Sequence, residues 1–267
     1  MLNNKEYINK LYQSDKPLII YKTKNGFDIY TDFKEKIIVK KNNLKTFLNH
    51  KTKQKHSNIS DLNCYVGFFG YKLLCENIKV HPPKQYSNNF YPSIFYRPQT
   101  IIKLRKNITI KSVLKNYQDI KVNKTKNFFY NNKFKVNINL QQYSKLFNQF
   151  SKKIKEGKTY QIKICQTYRD KAKINAVDFF WKLMNMNQSP ESFLIRDKDY
   201  SIISCSPETL IDKKNKYITT KPIAGTLRKR KNMNKNFALN FFRKNEKETK
   251  EHNMIVDMER NDLSKIC

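Results

Sequence analysis

The sequence is poor in several residue types, and each shortage excludes some classes of function. Only five of the 267 residues are glycine, and 22 acidic residues stand against 54 Lys and Arg. The five cysteines form no C-x-x-C pair and have no histidine nearby at the spacing of zinc ligands. We therefore expect free thiols in a reducing compartment rather than a zinc site at Cys64, Cys75, Cys165, Cys205 and Cys267.

Long apolar runs are also lacking. No stretch approaches the roughly 18 consecutive apolar residues that a membrane-spanning helix needs. The first ten residues are polar and lack the apolar run of a signal peptide. These absences predict a cytoplasmic protein that does not enter a membrane.

What the sequence has in excess is positive charge. The formal net charge is +32, which by itself suggests a nucleic-acid-binding protein. However, only eight of the 54 basic residues are Arg, and the lysines are scattered along the whole chain. Phosphate clamping and base readout favour Arg because its guanidinium is a planar fork of donors. Abundant Lys, Asn, Ile, Phe and Tyr is instead typical of an AT-rich genome, so we expect no nucleic-acid partner.

The chain is long enough for one large domain or two small ones. Short apolar groups separated by polar turns predict strands and hairpins over the first 60 residues, and His81–Pro98 is predicted to be a surface loop. Two glycines within Val66–Tyr71 indicate a close approach of two backbones. A polar segment at 116–132 leads us to place a domain boundary near residue 137, which divides the chain into 1–137 and 138–267.

The second part has clearer periodicity. Apolar residues of Leu140–Gly157 recur at the spacing of a helix that packs on one face. Tyr160–Tyr168 alternates as a strand does. Further predicted elements are a helix at Ala176–Met186, strands at Ser192–Ile195, Ser201–Cys205, Leu210–Lys213 and Tyr217–Lys221, and helical structure from Asn236 to about Ile266.

Two segments are more specific than any of these patterns. Residues 222–226 read P-I-A-G-T, and residues 251–263 read E-H-N-M-I-V-D-M-E-R-N-D-L. Together and in this order they resemble the chorismate-utilising enzymes, most of all anthranilate synthase component I and its sister, aminodeoxychorismate synthase component I. The resemblance implies an α+β fold with antiparallel β-sheets packed face to face and helices outside. It also implies that 1–137 is the accessory region and 138–267 the first half of the catalytic domain.

A metal site is implied by the same resemblance. Glu248 and Glu251 lie three residues apart on a predicted helix, with His252 on the same stripe. Spacing alone favours the solvated face of a charged helix. However, K-E-T-K-E-H at 247–252 resembles the family's K-E-x-x-E-H, whose glutamates bind Mg²⁺, a cation that prefers oxygen ligands. We therefore expect Mg²⁺ as cofactor, Glu248 and Glu251 as ligands, and His252 among the catalytic residues.

The other site residues follow from two further matches. S-C-S-P-E at 204–208 resembles the family's S-x-S-P-E, which makes Glu208 the candidate general acid for the departing hydroxyl of chorismate. In the family the P-I-A-G-T turn lines the chorismate pocket, so Ala224, Gly225 and Thr226 are candidate substrate-binding residues. A glycine there allows a backbone N–H to approach a ligand oxygen closely.

Two positions bear on which reaction the chain performs. Many aminodeoxychorismate synthases have a nucleophilic Lys where this chain has Ala224, and a methyl group cannot attack the substrate ring. Gln161 stands where relatives that add water to chorismate have a Lys base, and its neutral amide favours ammonia as nucleophile. Anthranilate synthase is therefore preferred. Some aminodeoxychorismate synthases also lack the Lys, and no Leu-Leu-Glu-Ser feedback element is visible, so the sister enzyme stays open.

The resemblance also predicts a partner. Ammonia would come from a glutamine amidotransferase subunit, because no cysteine of this chain lies in a G-x-C-x-G turn. The chain stops soon after the second motif, where family members continue and supply two more glutamates. We therefore expect residues 1–267 alone to be nearly inactive. The alternatives of another class are an inactive fragment and a basic nucleic-acid-associated protein.

Overall fold

The computed structural model describes residues 4–51, 55, 57–80, 93–117, 133–231 and 233–267. Its helices are α1 (Asn4–Gln13), α2 (Leu44–Thr46), α3 (Tyr71–Asn77), α4 (Leu140–Lys155), α5 (Ala176–Asn187), α6 (Lys235–Lys244) and α7 (Glu246–Leu263). Its strands are β1 (Leu18–Thr23), β2 (Gly26–Ile38), β3 (Val66–Phe69), β4 (Ser93–Leu104), β5 (Ile108–Ser112), β6 (Lys135–Val136), β7 (Tyr168–Arg169), β8 (Glu191–Arg196), β9 (Ser201–Ser206), β10 (Asp212–Lys214) and β11 (Tyr217–Thr219). A π-helical turn (Phe47–Lys51) and a 3₁₀ turn (Ser60–Leu62) complete the described elements.

A seven-stranded antiparallel sheet is the centre of the fold. Its strands lie in the order β3-β4-β2-β1-β8-β9, and β5 pairs with the second half of β4. Two small antiparallel ribbons, β6-β7 and β10-β11, lie outside this sheet. The predicted α+β class with antiparallel sheets is confirmed.

Strands from both sides of the predicted domain boundary meet in this sheet. Ile19 of β1 faces Tyr30 of β2 on one side and Ile195 of β8 on the other. The second half of the chain therefore completes a sheet that the first half begins. The boundary near residue 137 stays a prediction, and most of the polar segment at 116–132 lies outside the described residues.

The two faces of the sheet bury different residues because side chains alternate along a strand. Leu18 and Ile20 of β1 point towards α1 and α5, where they pack with Phe180 in the larger buried cluster. Ile19 points to the opposite face and joins Ile195 in a second cluster. The first half of β1 is thus buried on both faces, which explains its apolar start, Leu18–Ile20.

Asparagines begin the helices of the second half of the chain. The side chains of Asn139, Asn175, Asn234 and Asn245 each accept a hydrogen bond from a backbone N–H in the first turn of α4, α5, α6 and α7. Asn is among the preferred N-cap residues, and such a cap typically contributes about 1 kcal/mol. The Asn-rich composition therefore has a structural use at these four helix starts.

Two predictions for the first half had different outcomes. Gly67 does mark a close approach, since a Cβ there would lie 2.7 Å from the Cα of Phe95. The prediction of a loop from His81 to Pro98 was wrong for its last part, because 93–98 belongs to β4; the part at 81–92 lies outside the described residues. Pro98 is tolerated because it faces Phe33 where the register of β2 and β4 shifts, and a bulge spares the N–H that proline lacks.

Two predictions for the second half need correction as well. Helix α4 forms as expected, but its apolar stripe is only partly packed: Phe147 is 54 % and Tyr143 41 % exposed, whereas Leu146 and Phe150 are half-buried. No strand forms over 160–167; only Tyr168 and Arg169 pair, with β6. The predicted alternation remains visible in burial, since Ile162 and Ile164 are half-buried and their neighbours exposed.

Among the described helices, none combines the length and apolar character needed to cross a bilayer.

The aromatic cluster under the sheet provides a test of this core. Phe180 is fully buried, with its ring centroid 6.2 Å from that of Phe27 and 5.2 Å from that of Trp181. We expect Phe180→Ala to lower the free energy of unfolding by about 3–5 kcal/mol, because it opens a cavity in a packed core. Urea unfolding followed by the fluorescence of Trp181, the only tryptophan, measures the change.

Phe179→Ala is the matched control, since its side chain is on the same helix but 44 % exposed. Its effect should stay below about 1 kcal/mol. Equal losses in the two variants would contradict the burial of Phe180.

Candidate active site

The P-I-A-G-T turn lies next to Glu208. Strand β9 ends at Ser206. The Ser206 hydroxyl donates to the Glu208 carbonyl oxygen at 3.2 Å and accepts from the Glu208 backbone N–H at 3.5 Å. The backbone N–H of Ile223 donates to the Glu208 Oε1 atom at 3.0 Å. A strand end on the large sheet thus holds a half-buried carboxylate against the turn.

Helix α7 touches the same turn from the other side. Gly225 has a φ of 69°, and a Cβ there would collide with a carboxylate oxygen of Glu248 and lie 2.9 Å from the Phe242 ring. The left-handed backbone and the lack of space both require glycine. The turn therefore contacts Glu208 on one side and Glu248 on the other.

The two candidate metal ligands lie one helical turn apart near the start of α7. Glu248 and Glu251 are both half-buried, and the described structure shows no ion pair or side-chain hydrogen bond for either carboxylate. His252, predicted to share their stripe, is exposed, and no contact in the described structure brings its ring to them. The structure therefore groups Glu248, Glu251 and Gly225 but leaves His252 at the surface.

Two contacts further along α7 were not expected from the sequence. The Thr220 hydroxyl donates to the Glu259 Oε2 atom at 2.5 Å, and the Tyr160 hydroxyl lies 3.1 Å from the Met258 sulfur. Gln161 directly follows Tyr160 and therefore lies in a segment that contacts α7, but its own side chain is exposed. The signal for Glu259 is its place inside the second sequence motif; Thr220 and Tyr160 had no such signal.

The donor set at α7 fits one part of a magnesium site. Mg²⁺ takes oxygen ligands and often uses only one or two carboxylates, with water or substrate oxygens completing the octahedron. Glu248 and Glu251 provide two such carboxylates, and no group of three or more His, Cys, Asp or Glu side chains that could hold a metal occurs in the described residues. The remaining ligand positions would fall to water, substrate or other groups.

The substrate-binding candidates differ in exposure. Ala224 is half-buried, whereas Gly225 and Thr226 are exposed. An exposed turn whose glycine N–H has no hydrogen-bond partner in the described part of the chain, next to carboxylates that can hold a cation, is suited to an anionic ligand bound partly through that cation.

Comparison with known proteins agrees with this geometry. A family model described as chorismate binding enzyme matches residues 9–267. Anthranilate synthase component 1 of Buchnera aphidicola subsp. Pemphigus spyrothecae is 29 % identical over 248 residues, covering 81 % of this chain and 47 % of the relative. Aminodeoxychorismate synthase component 1 of Bacillus subtilis (strain 168) is 36 % identical over 125 residues, covering 45 % of this chain and 27 % of the relative.

A solved structure has the same fold. Anthranilate synthase component I from Streptococcus pneumoniae TIGR4 superposes with a TM-score of 0.66 at 21 % identity, covering 95 % of this chain and 61 % of that one. The chain spans about half of the length of the Buchnera relative. Because the family model matches nearly the whole sequence, the chain belongs to the family of chorismate binding enzymes.

Proposed function

We propose that the chain acts as component I of an anthranilate synthase, which converts chorismate and ammonia into anthranilate, pyruvate and water. The observation that supports this most is that the P-I-A-G-T turn contacts both glutamates: Ile223 contacts Glu208, and Gly225 contacts Glu248. Ala224 lies between these two residues. The proposed substrate site then has a general acid, a pair of cation ligands and a turn without a nucleophilic Lys.

Glu248 and Glu251 would hold Mg²⁺, whose charge fixes a carboxylate of the substrate when the ion is bound. The two side chains suit this role because both are half-buried and neither is neutralised by a Lys or Arg in the described structure. Gly225 allows the backbone of the turn to lie close beside them.

Glu208 would provide the proton for the first step. Ammonia adds at C2 of chorismate, the ring double bonds shift, and the C4 hydroxyl leaves as water with the proton of Glu208. The N–H of Ile223 holds the Oε1 atom, so the Oε2 atom is the one placed to carry that proton. Loss of the C2 proton and of the enolpyruvyl group as pyruvate then gives the aromatic product.

Gln161 and His252 complete the proposed catalytic set. The Gln161 amide does not take up a proton at neutral pH, so it leaves ammonia rather than activated water as the nucleophile. His252 follows Glu251 directly and would have to turn inwards from its exposed position to reach the substrate. Ammonia would be delivered by a glutamine amidotransferase subunit.

The second candidate is aminodeoxychorismate synthase component I, which adds the amino group at C4 and retains the enolpyruvyl group. It is supported by the 36 % identity to the Bacillus subtilis relative across 125 residues. Ala224 favours the first candidate, because no amine is present at this position of the turn to attack the ring.

The first test of this site is steric. Gly225→Ala would force the Glu248 carboxylate and the Phe242 ring to move. We expect the variant to lose most Mg²⁺-dependent chorismate binding, measured by titration calorimetry, because the turn and the metal ligands no longer fit together.

Gly157→Ala is the matched control. Gly157 has the same φ of 69°, but nothing lies within 4 Å of its Cβ position. Both variants should lose about 1–2 kcal/mol of stability from the left-handed backbone, while Gly157→Ala keeps its chorismate affinity. Equal affinities in both variants would show that the turn does not depend on Glu248.

The second test concerns the cation. Chorismate binding should require Mg²⁺. The double variant Glu248→Gln, Glu251→Gln should weaken Mg²⁺ binding by at least about 10–100-fold, which is the typical effect of removing a residue that only supports a metal ligand. Glu246→Gln is the control, since Glu246 is exposed on the same helix and pairs with Lys250. Chorismate binding that survives chelation of Mg²⁺ would argue against a metal role.

The third test identifies the acid and the product. We would extend the chain beyond residue 267 with the part of the Buchnera relative outside the match, and assay it with chorismate, Mg²⁺ and ammonium. Glu208→Gln should lower kcat by about 10²–10⁴-fold with little change in chorismate affinity. Glu156→Gln, an exposed glutamate at the end of α4, is the control.

Product analysis decides between the two candidates. Fluorescent anthranilate and pyruvate in equal amounts are expected. Formation of 4-amino-4-deoxychorismate without pyruvate would establish the second candidate.

The Glu208→Gln variant decides the identity of the acid. A decrease in kcat of less than about threefold would assign the proton transfer to another group.

A further inference from the structure

Three half-buried glutamates share one face of α7. At about 100° per residue, Glu248, Glu251 and Glu259 fall within an arc of roughly 80°. The first two have the unpaired carboxylates described above, whereas Glu259 accepts the hydroxyl of Thr220. Glu259 therefore lies on the site face of the helix but is already engaged by a neutral donor.

The segment 220–225 runs along α7 between two of these glutamates. Thr220 contacts Glu259 at one end, and Gly225 lies against Glu248 at the other. Eleven helical residues from Glu248 to Glu259 rise by about 16 Å. Five extended residues from Thr220 to Gly225 span at most about 16–18 Å. The segment is thus tied to α7 at both of its ends, which limits how far it can slide along the helix.

A third contact holds the middle of the segment. The N–H of Ile223 donates to Glu208, which follows β9 of the large sheet. Thr219, directly before the segment, pairs with Asp212 in the β10-β11 ribbon. Residues 220–225 themselves pair with no described strand, so beyond Thr219 these side-chain contacts position the turn. If the Thr220 end is released, the segment gains slack and both Ile223 and Gly225 can shift.

We propose that Thr220 and Glu259 are positioning residues, whose hydrogen bond sets the register of the P-I-A-G-T turn on α7 and so aligns it with Glu208 and Glu248. The part of this inference that concerns chorismate rests on the proposed function. The part that concerns the register of the turn does not.

Thr220→Val tests the register without any ligand. It preserves the shape of the side chain and removes the donor. The Ile223 amide should then exchange with solvent deuterium about tenfold faster or more, as expected when a hydrogen bond to a charged group is lost. Two-dimensional NMR of the labelled protein measures this amide separately from its neighbours.

Two variants serve as controls. Thr220→Ser retains the hydroxyl and should restore slow exchange at Ile223. Thr249→Val removes another threonine hydroxyl bond on α7, the one to the Phe242 carbonyl, and should leave Ile223 unchanged. Unchanged exchange at Ile223 in Thr220→Val, or equally fast exchange in Thr220→Ser, would overturn the proposal.

Ligand binding gives the second readout. Thr220→Val should weaken chorismate binding at saturating Mg²⁺ by about tenfold, because the turn is displaced, while Mg²⁺ affinity stays within about twofold since α7 is intact. Equal weakening of both would indicate damage to α7 and overturn a specific role in the turn. A wild-type chain that binds no chorismate would refute the proposed function, and the exchange at Ile223 would still decide the positioning role.

Discussion

The pairing of β1 with β8 is the contact on which the rest of the structure depends. It joins Leu18–Tyr21 to Phe193–Arg196 across more than 170 residues of chain. Both strands contribute fully buried residues, so the pairing is protected by apolar side chains on both faces of the sheet. Strand β9 follows β8 directly, and the end of β9 fixes Glu208. A catalytic candidate near residue 200 is therefore placed by a strand near residue 20.

The charge of the chain and the charge of the site have opposite signs. The sequence has only 22 acidic residues, yet Glu208, Glu248, Glu251 and Glu259 all contact one segment or lie on the helix face beside it. At physiological ionic strength the electrostatic effect of a surface charge is largely screened beyond about 8 Å. The electrostatic potential at a cation site on α7 is therefore set mainly by the nearby carboxylates. At low ionic strength, where screening is weaker, the net charge of +32 would attract an anionic substrate such as the proposed one.

The sequence predicted local elements well because periodicity and caps act within a few residues. Helices α4 and α5 and strand β8 lie within a few residues of their predicted bounds. Long-range contacts explain the errors. Pro98 belongs to a strand because the register shift beside Phe33 leaves no ladder hydrogen bond for the N–H that proline lacks. Residues 160–167 have alternating side chains, but no strand of the described residues pairs with them.

Prediction of the site was limited in the same way. Glu208, Gly225 and Glu248 were identified through their motifs, and the structure brings them together. The Thr220–Glu259 hydrogen bond joins residues 39 positions apart, and neither residue type is distinctive by itself. Such a contact is visible only once the path of the segment along α7 is known.

The fold also separates rigidity from chemistry. Two buried clusters are built from residues of the sheet, α1 and α5, and a third from Val39, Phe47 and Leu73, whereas no described residue from 206 to 267 is buried. The candidate site is therefore held mainly by hydrogen bonds and by contacts of half-buried side chains. Because few buried apolar contacts support it, this part should open locally at lower free energy than the sheet. A ligand that bridges the turn and α7 would then stabilise the site more than the core, since it supplies the contacts that packing does not.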